Sequence, residues 1–140
     1  MTTKTTKTVF WITTIAIFLF EGVLPALTSQ TELAKEGIRH LGYPEYFGNL
    51  LVVFKVVGVL LLVIPKLPLR VKEWTYAGFA FDFIFAAASH WAVDGFGFQV
   101  IFPIIVFAIL VTSYICYHKL LLQNSTRVSE SSSLNLPLFL

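Results

Sequence analysis

A chain of 140 residues that is 56% hydrophobic and only 13% charged, with a mean hydropathy of +0.78, is too apolar for a water-soluble domain and reads as an integral membrane protein. Its formal charge of +2 sits on basic residues that flank apolar runs, which excludes a nucleic-acid partner. A single cysteine, Cys116, excludes an intrachain disulfide and a dithiol redox couple, and its place late in an apolar run suits a small buried hydrophobe.

Crossing a hydrocarbon core of about 30 Å takes about 20 mostly apolar residues, and four segments meet that requirement. After a cytoplasmic segment 1–7, the first span is expected at about 8–27. Lys4 and Lys7 before an apolar run imitate a secretory leader, yet apolar character resumes beyond Glu21 and no small-x-small cleavage site follows cleanly. Residues 31–41 place Leu33, Gly37, Ile38 and Leu41 to one side of Glu32, Lys35, Glu36 and Arg39. That pattern fits a short interfacial helix, and an ordinary loop fits it as well. The second span is expected at about 46–64, stopped by Pro65 and Pro68. The third begins near Trp74 and ends near Val93, and the fourth covers about 98–122 after the turn Asp94-Gly95-Phe96-Gly97. Residues 123–140 are Ser-rich and read as a disordered cytoplasmic tail, where Asn124-Ser125-Thr126 is an accidental glycosylation match.

Together these segments predict an all-α fold, a four-helix transmembrane bundle. With the N-terminus inside, Lys4, Lys7, Lys66, Arg70, Lys72, Lys119 and Arg127 fall on the inner side, and only Lys35 and Arg39 fall outside. The positive-inside tendency then places both termini in the cytoplasm.

Four ionisable residues, Glu21, Lys55, Asp82 and His90, interrupt the spans. A charge at bilayer depth costs roughly 2.5–3.5 kcal/mol on insertion scales, so such residues are expected to face a protein interior and pair there. A rise of about 1.5 Å per residue puts Glu21 and Lys55 at a common level, bracketed by Asp82 and His90. Eight residues on one helix leave Asp82 and His90 about 80° apart, within one interior sector. Gly78, Ala86 and Ser89 on that side predict a close helix seam, and Phe79, Phe81, Phe83, Phe85 and Trp91 a partly lipid-facing side. Two acids against one lysine leave an excess negative charge, so the cluster is expected to share a proton. Such a set suits hydrogen bonding to a quinone carbonyl, relay of a proton with a solute, or simple fastening of neighbouring helices. Haem is a poor fit, because His40 and His118 sit near opposite surfaces, and no Cys/His group has metal-site spacing.

The stretch Lys72-Glu73-Trp74-Thr75-Tyr76-Ala77-Gly78-Phe79, then Phe81-Asp82-Phe83 and Ala88-Ser89-His90, resembles the DoxX-like family. Leu41-Gly42-Tyr43-Pro44, Lys55-Val56-Val57-Gly58 and Phe20-Glu21-Gly22 are similar to that family's pattern in order and spacing. The resemblance covers about residues 10–117 and implies a small four-helix protein of a prokaryotic cytoplasmic (inner) membrane. The family takes its name from a small subunit associated with a quinone-linked thiosulfate oxidation complex. The resemblance therefore implies an accessory to quinone-linked redox chemistry, with membrane oxidoreductase subunits or further copies of the chain as partners. It places Glu21, Lys55, Asp82 and His90 at the family's polar positions and assigns none of them a catalytic role. A small-solute or proton-coupled carrier and a structural or assembly subunit remain the alternatives.

Overall fold

The computed structural model describes residues 2–135, and every element in it is helical. Helix α1 (Thr3–Phe18) opens on Thr2, whose hydroxyl accepts from the Thr5 amide at 3.2 Å and satisfies one orphan donor. A π-helical turn (Leu19–Val23) follows, and then a short helix α2 (Leu24–Thr28). Pro25 explains the turn. It has no N–H to return to the Glu21 carbonyl, and the register widens so that the Leu24 amide reaches back to Leu19.

Thr31 caps α3 (Glu32–His40) through a 3.3 Å bond from the Ala34 amide. This decides for a helix between the first two spans. Ile38 turns inward against Gly48, and Leu33 on the other side is exposed. Gly42, at φ 87°, provides the left-handed turn out of α3 that lets Tyr43 bond back to the Ile38 carbonyl at 3.1 Å.

Helix α4 (Glu45–Val63) ends because Pro65 drives Ile64 into extended backbone. Helix α5 (Leu69–Asp94) ends at Gly95, φ 76°, and α6 (Phe98–Asn135) runs on through the region expected to be disordered. The physical reason is cooperativity. A helix already nucleated in an apolar stretch propagates into polar residues one bond at a time, and the side chains from Asn124 to Leu134 are exposed throughout. The last part of that tail, 136–140, lies outside the described residues.

Among the described residues, three stretches are long and apolar enough to cross a membrane: Thr3–Thr28, Glu45–Val63 and Phe98–Leu134. Helix α5 has the length, but Trp74, Tyr76, Asp82 and His90 dilute its apolar character.

The core joins Ile17, Val59, Leu62, Tyr76, Phe79, Phe83, Val106 and Leu110, with α6 packed broadly against both α1 and α5. Two glycines allow the close approaches. A Cβ on Gly22 would meet Val59 Cγ2 at 2.4 Å, and one on Gly58 would meet the Phe79 ring at 2.8 Å.

These contacts correct the expected faces of α5. Phe79 and Phe83 are 5% and 4% exposed and belong to the core, whereas Phe81, Phe85 and Trp91 are exposed. Residues two apart on a helix stand on opposite sides, so the phenylalanines at odd positions never formed a single face. Gly78 is the reverse case. Nothing lies within 4 Å of where its Cβ would be, so it borders open space and not a helix seam.

Candidate functional site

The π turn places Glu21 at the point where the first helical segment meets α4, with its side chain only 9% exposed. Lys55 reaches it from the middle of α4, Nζ donating to Glu21 Oε2 at 2.6 Å. Asp82 completes a triad from α5, its Oδ2 3.3 Å from the same ammonium. Three helical segments thus converge on one nitrogen. With both acids ionised, the set carries a net charge of −1 in an apolar surround.

The fourth expected member is elsewhere. His90 lies two turns beyond Asp82 and places Nδ1 3.4 Å from Asp94 Oδ2. Asp94 is also bonded by His40 Nε2 at 2.5 Å, so a carboxylate at the end of α5 links that helix to the end of α3. The hydrogen bond from His40 holds the Asp94 carboxyl below its ordinary pKa. Tyr43 and Ser89 add a second tie at this end, hydroxyl to hydroxyl at 2.7 Å.

Two cavities meet at Lys55, and Asp82 lines the larger of them. The larger, 840 Å³, lies between α4 and α5 and is lined mainly by apolar and aromatic side chains, including Phe47, Phe54, Trp74 and Phe85, with Lys55 and Asp82 as its charged groups. Gly78 and Gly58 widen it, since neither projects a side chain. The smaller, 210 Å³, lies beneath α3 and has a mixed lining of Thr28, Ser29, Lys35, Glu45, Asn49 and Lys55 among apolar groups. Leu51 and Lys55 border both.

Several interactions lay beyond sequence reasoning. Lys72, expected as a flanking charge, is buried and donates to the carbonyls of Leu61, Leu62 and Ile64 at 2.6–2.8 Å. It thereby satisfies the orphan acceptors at the end of α4. Burial in turn lowers its pKa from the ordinary lysine value. The signal was present in outline, as a proline-terminated helix followed a few residues later by a basic side chain. At the same end Glu73 contacts His118 at 2.5 Å and accepts from Tyr114 at 3.0 Å. In the interior Thr14, Ser113 and Tyr76 share hydroxyl hydrogen bonds of 2.8 Å that join α1, α6 and α5. Those three hydroxyls satisfy one another and offer nothing to a ligand.

Among the described residues, no group of three or more His, Cys, Asp or Glu is placed to hold a metal ion. A family model described as the DoxX-like family matches residues 9–113, three quarters of the chain, and covers the triad, His90 and Asp94. No curated protein and no solved structure matches the chain.

Proposed function

The chain belongs to the DoxX-like family, and on that footing we propose that it crosses a prokaryotic cytoplasmic membrane four times and receives the head of a quinone at its buried triad. In this reading α5 supplies the third span in chain order, beside the three apolar stretches, and both termini are cytoplasmic. The protein then serves as an accessory to quinone-linked redox chemistry, alongside a membrane oxidoreductase or a further copy of itself.

One observation carries the reading: an apolar cleft of 840 Å³ that ends on Lys55 and Asp82. Its volume falls within the range of small-molecule sites, and its lining suits an isoprenoid tail. The residues present fit a quinone head. Lys55 has three N–H donors, of which the carboxylates engage two at most, leaving one for a carbonyl oxygen. Asp82, which lines the cleft, would hold or release the proton that reduction of such a head consumes, and Glu21 would act through its bond with Lys55. A bound quinone would supply two-electron redox chemistry, and the chain itself would supply orientation, an apolar site and the proton.

Trp74 lines the cleft and provides the test. With Trp11→Phe and Trp91→Phe leaving it as the remaining tryptophan, a short-tailed quinone analogue in nanodiscs is expected to quench its fluorescence saturably. Lys55→Met is expected to weaken that binding roughly tenfold or more, the loss of one charge-assisted hydrogen bond. Linear, unsaturable quenching that is equal in both proteins would sink the proposal.

A second reading, a proton-coupled carrier of a small solute, is favoured by the meeting of two cavities at Lys55. Its mark is uptake into proteoliposomes that depends on a pH difference. Triad substitutions that leave both assays unchanged would point instead to a structural or assembly role.

A further inference from the structure

The smaller cavity is placed unlike the cleft. It opens beneath α3, at the end of the bundle opposite the N-terminus, and its polar lining follows a line inward: Thr28 and Ser29 from the end of the first helical segment, Lys35 from α3, then Glu45, Asn49 and Lys55 along α4. From Glu45 to Lys55 is ten residues, about 15 Å of helix, half the thickness of a hydrocarbon core. A hollow of 210 Å³ has room for several waters, with polar partners as far in as Asn49 and then, past the apolar Leu51 and Val52, Lys55. Its inner end is Lys55, which also borders the cleft.

We propose that the hollow beneath α3 is an aqueous inlet through which a proton passes between the outer surface and the Glu21–Lys55–Asp82 triad. The proposal rests on the topology given above and deepens the reading of the same site. Its driving force is the charge count. Two carboxylates and one ammonium leave a net charge of −1 at mid-membrane depth, and one further proton makes the set neutral.

The step itself moves one proton and no electrons. Lys55 passes one N–H proton to Glu21 Oε2 along their 2.6 Å hydrogen bond and takes its replacement from a hydronium in the hollow, so an O–H bond forms on the carboxylate, water is left behind and Lys55 ends with three protons. The reverse transfer restores the charge. Few other charges face this site. From the α3 side the nearest are Lys35 and Glu45, which neutralise each other at 3.5 Å. The first helical segment from Thr8 to Phe20 and α6 from Phe98 to Tyr117 contain no acidic or basic residue and no histidine. Lys55 is the member of the triad that lines the hollow, and among the described residues the two carboxylates on its ammonium are the acceptors behind it.

The test follows the carboxyl C=O stretch of the intact protein in nanodiscs by infrared spectroscopy after a pH jump, with Glu21→Gln and Asp82→Asn assigning the band. In the natural protein a triad carboxyl band is expected to appear and disappear with the pH jump. Ser29→Leu with Asn49→Leu removes polar partners from the hollow, and is expected to slow that exchange roughly tenfold or more. Phe54→Ala, which opens the cleft side, is expected to leave it unchanged. The inlet is refuted if no triad band titrates, if the leucine pair exchanges at the natural rate, or if Phe54→Ala accelerates exchange. Unchanged thermal melting of the leucine pair checks that it folds. Trp74 quenching on the same samples separates the two ideas: saturable quenching without a titrating band refutes the inlet alone, and rapid exchange without quenching refutes the quinone reading alone.

Discussion

Lys55 is the one cation of the triad, and its removal tests what the triad contributes to stability. Two carboxylates left together at membrane depth cannot both stay ionised, so Lys55→Met forces one of them to take up a proton. Interhelical polar contacts in membranes are worth about 0.6–2 kcal/mol, and Lys55→Met is expected to lie near the top of that range. The same substitution on a Glu21→Gln background is expected to cost about 1 kcal/mol less, because the partner it abandons is already neutral. Reversible unfolding of the four proteins of the cycle measures the difference, and equal costs in both backgrounds would mean that the pair is not coupled. Asp94 makes a pH prediction. Its carboxyl binds a proton more weakly in the folded protein than in the unfolded chain, so the unfolded state takes up protons first as the pH falls. Its contribution is thus complete above the ordinary aspartate value of about 4 and is lost as the pH drops through the lower folded value. The melting difference between the natural protein and Asp94→Asn is expected to be present at neutral pH and to vanish in strong acid. A difference that persists in acid would show that the carboxylate is not its source. The meeting of Glu21, Lys55 and Asp82 was legible from sequence, because depth along each helix follows directly from residue offset. His90 was misplaced for the same kind of reason: its angle to Asp82 is favourable, but eight residues separate the two by about 12 Å of rise.

Helices were easier to read than their faces. The proline stops and the apolar runs act locally: they place α4 within one residue of where it is found, whereas the first helical segment and α5 each start five residues earlier than expected and the π turn is not foreseen. What a helix faces is decided by its neighbours, and alternating phenylalanines give no direction on a helical period. Lys72 was opaque for a related reason, since sequence counts a lysine near a span end as a topological charge and cannot see the three carbonyls that engage it. The π turn is the element on which the site depends most, because it holds Glu21 and Gly22 against α4. Gly22 is fixed by contact. The 2.4 Å approach of a Cβ to Val59 predicts that Gly22→Ala costs about 1–3 kcal/mol through overpacking. Val59→Ala removes the colliding methyl and is expected to recover most of that cost, so that Gly22→Ala is far milder in the Val59→Ala protein. Melting temperatures of the four combinations decide it. If Gly22→Ala costs the same in both backgrounds, the approach of the π turn to α4 is not the constraint described.

At the scale of the whole molecule the open question is whether α5 crosses the membrane with the three apolar stretches. Composition argues weakly, because the ionisable and aromatic residues that make α5 interesting are those that lower its hydropathy. Packing argues better. The start of α5 is tied by Lys72 to the C-terminal end of α4, and its other end is tied through Asp94 to His40 of α3, which precedes α4 in the chain. Helix α5 therefore runs beside α4 from end to end, and α6 returns antiparallel to it after a three-residue turn. On the proposed topology α5 therefore spans the same depth as α4. An even number of crossings puts both termini on one side, and the basic residues choose which. Lys72 is engaged with carbonyls and drops out of that comparison, but Lys4, Lys7, Lys66, Arg70, Lys119 and Arg127 still outweigh Lys35 and Arg39. The expected outcome is that Leu33→Cys, on the exposed side of α3, reacts with a membrane-impermeant maleimide in intact cells, whereas Arg127→Cys reacts only after permeabilisation. The native Cys116 is buried and supplies little background. Labelling of Arg127→Cys from outside would mean an odd number of crossings, in which case α5 could not be a span and the triad would not lie at mid-membrane depth.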